Sequence, residues 1–300
     1  MKILLTGAKG QLGRVLHQLL PAIGPVTAVD RDEVDFSDTD ALHALLQIEK
    51  PALIVNAAAF TDVDGAETAP DLANAVNGTA PEVIAAWAAA NGAAMFHYST
   101  DYVFDGSGTA PWKESDPTNP INAYGESKRR GDEAVLASGA ASLVLRTSWV
   151  YAAHGQNFLR TMLRLGSERS ELRVVADQIG APTSANLLAN TTVEIIRSAT
   201  DYLPSLLNAC GGIVNVTPSG ETSWHGFAEA IFASALQRDM PLQIQRVEPI
   251  PSSEYPLPAT RPLNSRLALE TVRDKFGMVM PSWQESLESV LDEVVSRTRT

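Results

Sequence analysis

Thr6-Gly7-Ala8-Lys9-Gly10-Gln11-Leu12-Gly13 stands between a short apolar run, Ile3-Leu4-Leu5, and a segment with leucines at 12, 16, 19 and 20 that predicts a helix over 11–20. A strand that passes through a glycine turn into a helix is suited to an anion. The missing side chains let the backbone turn sharply and approach a pyrophosphate, and the helix N-terminus offers oriented amides with partial positive charge. Gly13, inside the helix, allows close packing on a sheet. The spacing G-x-x-G-x-x-G is one residue off the commoner dinucleotide fingerprint, and turns and helix caps use glycine as well, so context has to decide. Asp30 ends the next apolar run about 20 residues on, where an acid takes the adenosine ribose hydroxyls. Arg31 beside it suits a 2′-phosphate, so NADH and NADPH both stay open.

The alternation continues outward from this loop. Apolar runs at 26–29, 53–55, 94–98 and 142–145 are separated by helix-length segments at 40–49, 81–90 and 123–136. Continuous apolar strands between helices indicate a parallel sheet covered on both faces. The fold class is therefore α/β: a doubly wound, Rossmann-type parallel sheet with ligands at the carboxyl ends of its strands. After Trp149 the rhythm loosens into a helix at 157–165, a strand at 173–176, a helix at 186–198, and a strand at 213–216 placed to rejoin the sheet. The Pro- and Ser-rich stretch 249–262 reads as a loop over a pocket, and a helix at 282–295 follows. We expect a dinucleotide-binding domain at 1–150, rejoined by parts of 185–217. Residues 151–300 should form mainly a smaller, interleaved substrate lobe.

Composition narrows the function classes. The 300 residues are 45% hydrophobic and 19% charged, which is globular composition. Lys and Arg total 23 against 35 Asp and Glu, a net charge of −12 with no basic run. Such a chain has no electrostatic footprint for nucleic acid or an anionic membrane. One cysteine, Cys210, excludes an internal disulfide and a cysteine-rich metal site. The most apolar stretch, 83–90, is too short to span a bilayer. The N-terminal residues carry no export signal, so a cytoplasmic protein is expected. His97, His154 and His225 form no metal motif and read as structural.

Tyr124-Gly125-Glu126-Ser127-Lys128 puts a phenol and an ammonium at i and i+4 on one helix face. A free tyrosine titrates near pH 10, too high for acid–base work at neutrality; a neighbouring cation lowers it toward the working range. Thr100, in Ser99-Thr100-Asp101, ends a strand where a hydroxyl can hydrogen-bond a carbonyl oxygen. The small residues Asn56-Ala57-Ala58-Ala59 end another strand and allow a flat ligand to pass close, with Asp35 and Phe36 placed to flank its adenine.

Gly7, Gly10 and Gly13, the Asn56-Ala57-Ala58 segment, Ser99-Thr100-Asp101-Tyr102-Val103-Phe104 and Tyr124-x-x-x-Lys128 together resemble the extended short-chain dehydrogenase/reductases. The likeness narrows through His97-Tyr98, Arg146-Thr147-Ser148-Trp149-Val150-Tyr151, Asp177-Gln178-x-Gly180-Ala181-Pro182-Thr183 and Arg261-Pro262-x-Asn264-Ser265-Arg266-Leu267. These segments, spread over nearly the whole chain, are similar to the branch that reduces dTDP-4-dehydrorhamnose. The resemblance implies hydride transfer from NADPH or NADH to the 4-keto group of dTDP-4-dehydro-6-deoxy-L-mannose, giving dTDP-L-rhamnose. It makes Thr100, Tyr124 and Lys128 catalytic: Tyr124 protonates the oxygen, Lys128 tunes Tyr124 and holds the cofactor, and Thr100 orients the carbonyl. It places the cofactor along Gly7, Gly10, Gln11, Leu12, Gly13, Asp30, Arg31, Asp35, Phe36, Ala57, Ala58, Ala59, Phe60 and Thr61. It puts the sugar nucleotide against Thr100, Asp101, Trp149 and Arg261, although Trp149 alone reads as core. Asn77 resembles the asparagine that in many relatives supports a proton relay near the lysine.

The related 4,6-dehydratases carry an acid just after the Thr-Asp pair; Tyr102 stands there and disfavours dehydration. Two other readings remain. One is a regulatory subunit that holds NADP without chemistry, like that of methionine adenosyltransferase. The other is a reductase of a different dTDP-4-keto-6-deoxy sugar, since one hydroxyl configuration is read by pocket shape and a few hydrogen bonds. Some reductases of this family dimerise around a magnesium ion held by glutamates. The matching positions here are Val15 and Asn186, with Asp292 and Glu293 remaining near the C-terminus. That leaves too few anionic oxygens for magnesium. No metal is expected, and a monomer is favoured over a magnesium-bridged homodimer.

Overall fold

Ile3-Leu4-Leu5-Thr6 forms strand β1 (Ile3–Thr6), and each of its residues is buried. In the computed structural model, which describes residues 1–298, β1 lies inside a six-stranded sheet. The other strands are β2 (Val26–Val29), β3 (Leu53–Asn56), β4 (Ala94–Thr100), β5 (Ala141–Thr147) and β6 (Gly212–Asn215). Their order is β6-β5-β4-β3-β1-β2 and every pairing is parallel.

Alternate residues supply the two faces. Ile3, Leu5, Leu53, Val55, Phe96, Leu143 and Leu145 share a core with Leu16, Leu188 and Ile195 of the helices Gln11–Leu19 and Ala185–Ser198. Leu4, Ile54, Met95 and Val144 pack with Leu42, Leu46, Ile84 and Trp87 of the helices Thr39–Glu49 and Ala80–Asn91. A sheet covered on both sides has no polar face, which is why its strands read as unbroken apolar runs. Each such side chain contributes roughly 1.5–3 kcal/mol by leaving water. Polar residues set the helix limits. Asp38 accepts from the amides of Asp40 and Ala41 at one helix start, and Lys50 ends that helix in the left-handed conformation just before Pro51.

The chain leaves β1 for β2 on one side and returns to β3 on the other, so a crevice opens above the carboxyl ends of β1 and β3. β4 and β5 each run two residues past their expected ends, to Thr100 and Thr147. Their polar ends stay laddered, Ser99 to Arg146 and Thr100 to Thr147, because the second half of the chain buries them.

That second half has its own apolar cluster, which includes Tyr151, Leu159, Leu172, Val174, Phe227, Ile231, Trp283 and Leu291. Helices Phe158–Glu168, Trp224–Leu236 and Trp283–Thr298 contribute to it, with the parallel strand pair Glu171–Val175 and Arg246–Ile250. Leu203–Cys210, Trp224–Leu236 and Glu270–Phe276 are helices that the sequence reading left unassigned. Trp224–Leu236 is apolar nearly all round, so it lacks the one-sided stripe by which helices are read.

Candidate active site

The glycine loop is fixed by contact distances. Gly7 has φ +68°, and a Cβ on it would lie 2.6 Å from the carbonyl of Ala57. A Cβ on Gly13 would come 1.9 Å from the Gly7 oxygen. The helix after the loop is capped by Gly10, which brings no side-chain acceptor to its first-turn amides. Asp38, Asn122, Asn157 and Ser184 do cap theirs. Open amides at a helix start, beside a bend that tolerates no side chain, fit a diphosphate. At the end of β2 the Asp30 carboxylate accepts from the amides of Lys9 (2.7 Å) and Arg31 (2.8 Å). It therefore stands beside the loop, where a ribose diol would meet it. Lys9 Nζ pairs with Asp32 and Glu33 at 2.8 and 2.9 Å.

Two expected contacts are placed differently. Asp35 is exposed and accepts from Ser37. Phe36 is buried in the same cluster as Val29 and Leu42. Its ring serves the core, because the turn after β2 must cover that edge of the sheet, and it does not stand open as an adenine wall.

The Ala57–Phe60 stretch leaves β3 half-buried, and Asn77 holds it there. Asn77 lies in the π-helical turn Ala75–Thr79, accepts from Phe60 N at 2.8 Å, and donates to Phe60 O (2.9 Å) and Ser127 Oγ (3.0 Å). Its amide is thus taken up by main chain and a serine, where the resemblance implied a relay toward Lys128.

Helix Ala123–Ala137 starts at Asn122, whose side chain accepts from Gly125 N. A Cβ on Gly125 would sit 2.1 Å from Tyr102 O, so this helix start presses directly on the loop that follows β4. The approach brings Tyr124 edge-on to Tyr102, ring centroids 5.7 Å apart, in the loop that follows Thr100. Thr100 Oγ1 also accepts from Tyr102 N and donates to Asp101 Oδ1, each at 3.2 Å.

Lys128 is 1% exposed; its Nζ donates to Tyr98 O at 2.6 Å and lies 3.3 Å from His97 Nε2. His97 Nδ1 is 3.1 Å from the Asn56 amide, which Thr6 Oγ1 in turn contacts. Asp132 accepts from Ser99 and from Arg146. A buried polar row therefore runs beneath the cleft across β1, β3, β4 and β5. Burial pushes Lys128 down to about 8, with the Asp132 carboxylate working against it.

Tyr124 moves the other way. Burial raises its pKa above the ordinary phenol value, the Asp101 carboxylate adds to the rise, and the Thr100 hydrogen bond opposes it. The expected lowering by Lys128 is not found, because that ammonium is directed at Tyr98 O and His97. The phenol is consequently protonated at neutral pH and can give a proton. Asp101, 2% exposed, is pushed up to about 7 by the same burial.

Beside this set opens a cleft of about 1250 Å³. Tyr102 and Arg261 line it, with Phe158, Met162, Leu172 and Trp224 from the second half, and residues 250–263 contribute a strap across it. Trp149 has φ +49° and stacks on Trp224, centroids 3.8 Å apart. Trp224 is the cleft-lining member of this pair, and sequence reasoning missed it for want of any motif. Arg261 is held by both oxygens of Asp64, at 2.6 and 2.7 Å. Its guanidinium thus joins two parts of the chain as well as bordering the cleft. Among the described residues no group of three or more His, Cys, Asp or Glu could hold a metal, and no helix is long and apolar enough to cross a membrane.

Comparison with known proteins follows this geometry closely. The sequence profile described as the RmlD substrate binding domain matches residues 1–296. A protein of Burkholderia thailandensis named dTDP-4-dehydrorhamnose reductase is 45% identical over 303 residues, spanning 99% of this chain and 100% of that one. A crystal structure of a dTDP-4-dehydrorhamnose reductase from Clostridium acetobutylicum is similar with a TM-score of 0.90 and 36% identity, covering 98% of this chain and 100% of that one. Another, from Bacillus anthracis and in complex with NADP, has a TM-score of 0.88 and 34% identity, covering 97% and 99%.

Proposed function

We propose a reaction from one premise: the chain belongs to the family of the RmlD substrate binding domain. It is an NAD(P)H-dependent oxidoreductase that reduces the 4-keto group of dTDP-4-dehydro-6-deoxy-L-mannose to dTDP-L-rhamnose. The observation that carries this reading is the edge-on seating of Tyr124 against Tyr102, a residue that lines the large cleft just after Thr100 ends β4 at the carboxyl edge of the sheet.

The residues divide the work. Gly7, Gly10 and the open amides from Gln11 to Gly13 receive the diphosphate, and Asp30 the adenosine ribose. The bound dinucleotide supplies hydride. Thr100 holds the ketone oxygen, and Tyr124, kept protonated by burial, gives it the proton. Lys128, whose ammonium is held by Tyr98 O on the strand that ends in Thr100, would hold the nicotinamide ribose. Trp224, with Trp149 behind it, walls the sugar nucleotide. Steady-state kinetics with this ketosugar, run with NADPH and with NADH, test the assignment. Turnover in wild type that vanishes in Tyr124→Phe is expected; no turnover with the ketosugar would refute it.

We also infer that magnesium does not bridge two copies, and that the enzyme works in the cytoplasm, where its dTDP-sugar would be met. Asn186 donates its amide to Glu293 at 3.2 Å, Arg297 pairs with the same carboxylate at 2.8 Å, and Val15 stands at the other matching position. An amide donor and a guanidinium already serve Glu293, and Arg238 pairs with the neighbouring Asp292, so neither carboxylate is left open to a dication. Sedimentation velocity across a magnesium titration should give one unchanged monomer boundary.

A further inference from the structure

The segment that leaves β3 and the strap that crosses the cleft are far apart in sequence and joined by one residue. Phe60 is pinned through both its N–H and its C=O by Asn77, and the helix Val63–Thr68 follows almost at once, capped by Asp62. Asp64 lies in the first turn of that helix. Its Oδ1 accepts from Arg261 Nη1 (2.6 Å) and from Ala259 N (3.0 Å), and its Oδ2 from Arg261 Nη2 (2.7 Å). Arg261 Nη1 also donates to Ala259 O at 2.7 Å, which closes the guanidinium into the strap. The side chains of Asp64 and Arg261 are 32% and 17% exposed, so the pair is half-buried, and its two parallel bonds fix its geometry.

At its other end the strap is held by Asp177, which accepts from Ser252 N and Oγ. Between the two anchors Tyr255 and Leu257 are exposed at the cleft margin, while Ala259 is buried. Asp177 belongs to the same half of the chain as the cleft wall. Asp64 belongs to the segment whose start, Ala57, touches Gly7 of the glycine loop. A dinucleotide that lies along residues 57–61 therefore bears on the segment whose carboxylate holds Arg261. A ligand beneath the strap bears on Arg261 itself.

We propose that Asp64 is a positioning residue that acts through Arg261 to couple the two ligand sites, so that dinucleotide and sugar nucleotide each strengthen the binding of the other. A ligand that holds one side of this ion pair steadies the other side through it, which is positive cooperativity without a large movement. The proposal rests on the reading above, that the cleft takes a dTDP-sugar.

The test uses unreactive dTDP as the probe of the cleft. NADPH affinity is measured by fluorescence titration with and without saturating dTDP, and the ratio of the two dissociation constants is the readout. Wild type should bind NADPH about fivefold or more tightly with dTDP present, and dTDP should tighten by the same factor with NADPH present. Asp64→Asn should bring the ratio close to one, and Arg261→Lys, which keeps the charge but loses the fork, should give an intermediate ratio. A merely structural role weakens either affinity uniformly and leaves the ratio unchanged. Wild type that binds both ligands with no coupling, or Asp64→Asn with the wild-type ratio, would overturn the proposal while the substrate reading stands. Wild type that does not bind dTDP at all would overturn the substrate reading, and this proposal with it.

Discussion

The Lys128 ammonium donates to the carbonyl of Tyr98 at 2.6 Å, on the strand that ends in Thr100, with 1% of the residue exposed. A cation so fully removed from water is costly to keep, and its position is paid for in stability.

The first prediction follows from that cost. Burial lowers Lys128 from 10.5 to about 8. Between those values the unfolded chain binds more protons at this residue than the native one, so its contribution to stability rises with pH across the window and is least below pH 8. Activity should move the opposite way, falling as the ammonium is lost, along a limb of the kcat/KM profile centred near pH 8. Lys128→Met should lower kcat by about 100-fold or more and remove the limb near pH 8. A variant that keeps this limb would contradict the assignment.

Tyr124→Phe keeps the ring and deletes only the proton donor. We expect a loss of about 10²–10⁴ in kcat with the NADPH dissociation constant unchanged. Thr100→Val should cost less, and the double variant should be no worse than Tyr124→Phe by more than a few-fold, because the two groups serve one oxygen. Single-turnover kinetics separate these effects from product release.

Gly13→Ala places a methyl group 1.9 Å from the Gly7 oxygen. Neither the loop nor the helix can yield without opening the other, so a destabilisation of about 3 kcal/mol or more is expected. Urea unfolding without cofactor measures it independently of binding.

Asp30→Ala removes the acceptor offered to a ribose diol and also a charge that repels a 2′-phosphate. The ratio of kcat/KM for NADPH over NADH should rise by about tenfold, chiefly through loss with NADH. An unchanged ratio would mean that the Lys9 and Arg31 amides occupy this carboxylate even with cofactor bound.

Much of the fold was legible because its signals are local. Ile3-Leu4-Leu5 before Gly7, the acid at Asp30, and the stop at Lys50-Pro51 each state a strand end or helix limit within a few residues. The helix Trp224–Leu236 was not legible: its apolar residues are nearly unbroken, so no face can be told from another until the packing around it is known. Among site residues, Thr100, Tyr124 and Lys128 stood out by position and spacing. Asp64 did not, because its partner Arg261 is 197 residues away. Phe36 packs in the core, since an aromatic in the turn after a strand carries the same local pattern whether it packs or meets a ligand.

Local chemistry thus determined the alternation of strands and helices, the glycine bend, and which side chains could move a proton, all of which depend on near neighbours in sequence. Tertiary structure decided the direction in which those side chains titrate. Spacing alone suggested that Lys128 would make Tyr124 more acidic, but burial raises the phenol and lowers the lysine instead. The exclusion of water is a property of the assembled core, and no segment carries it alone.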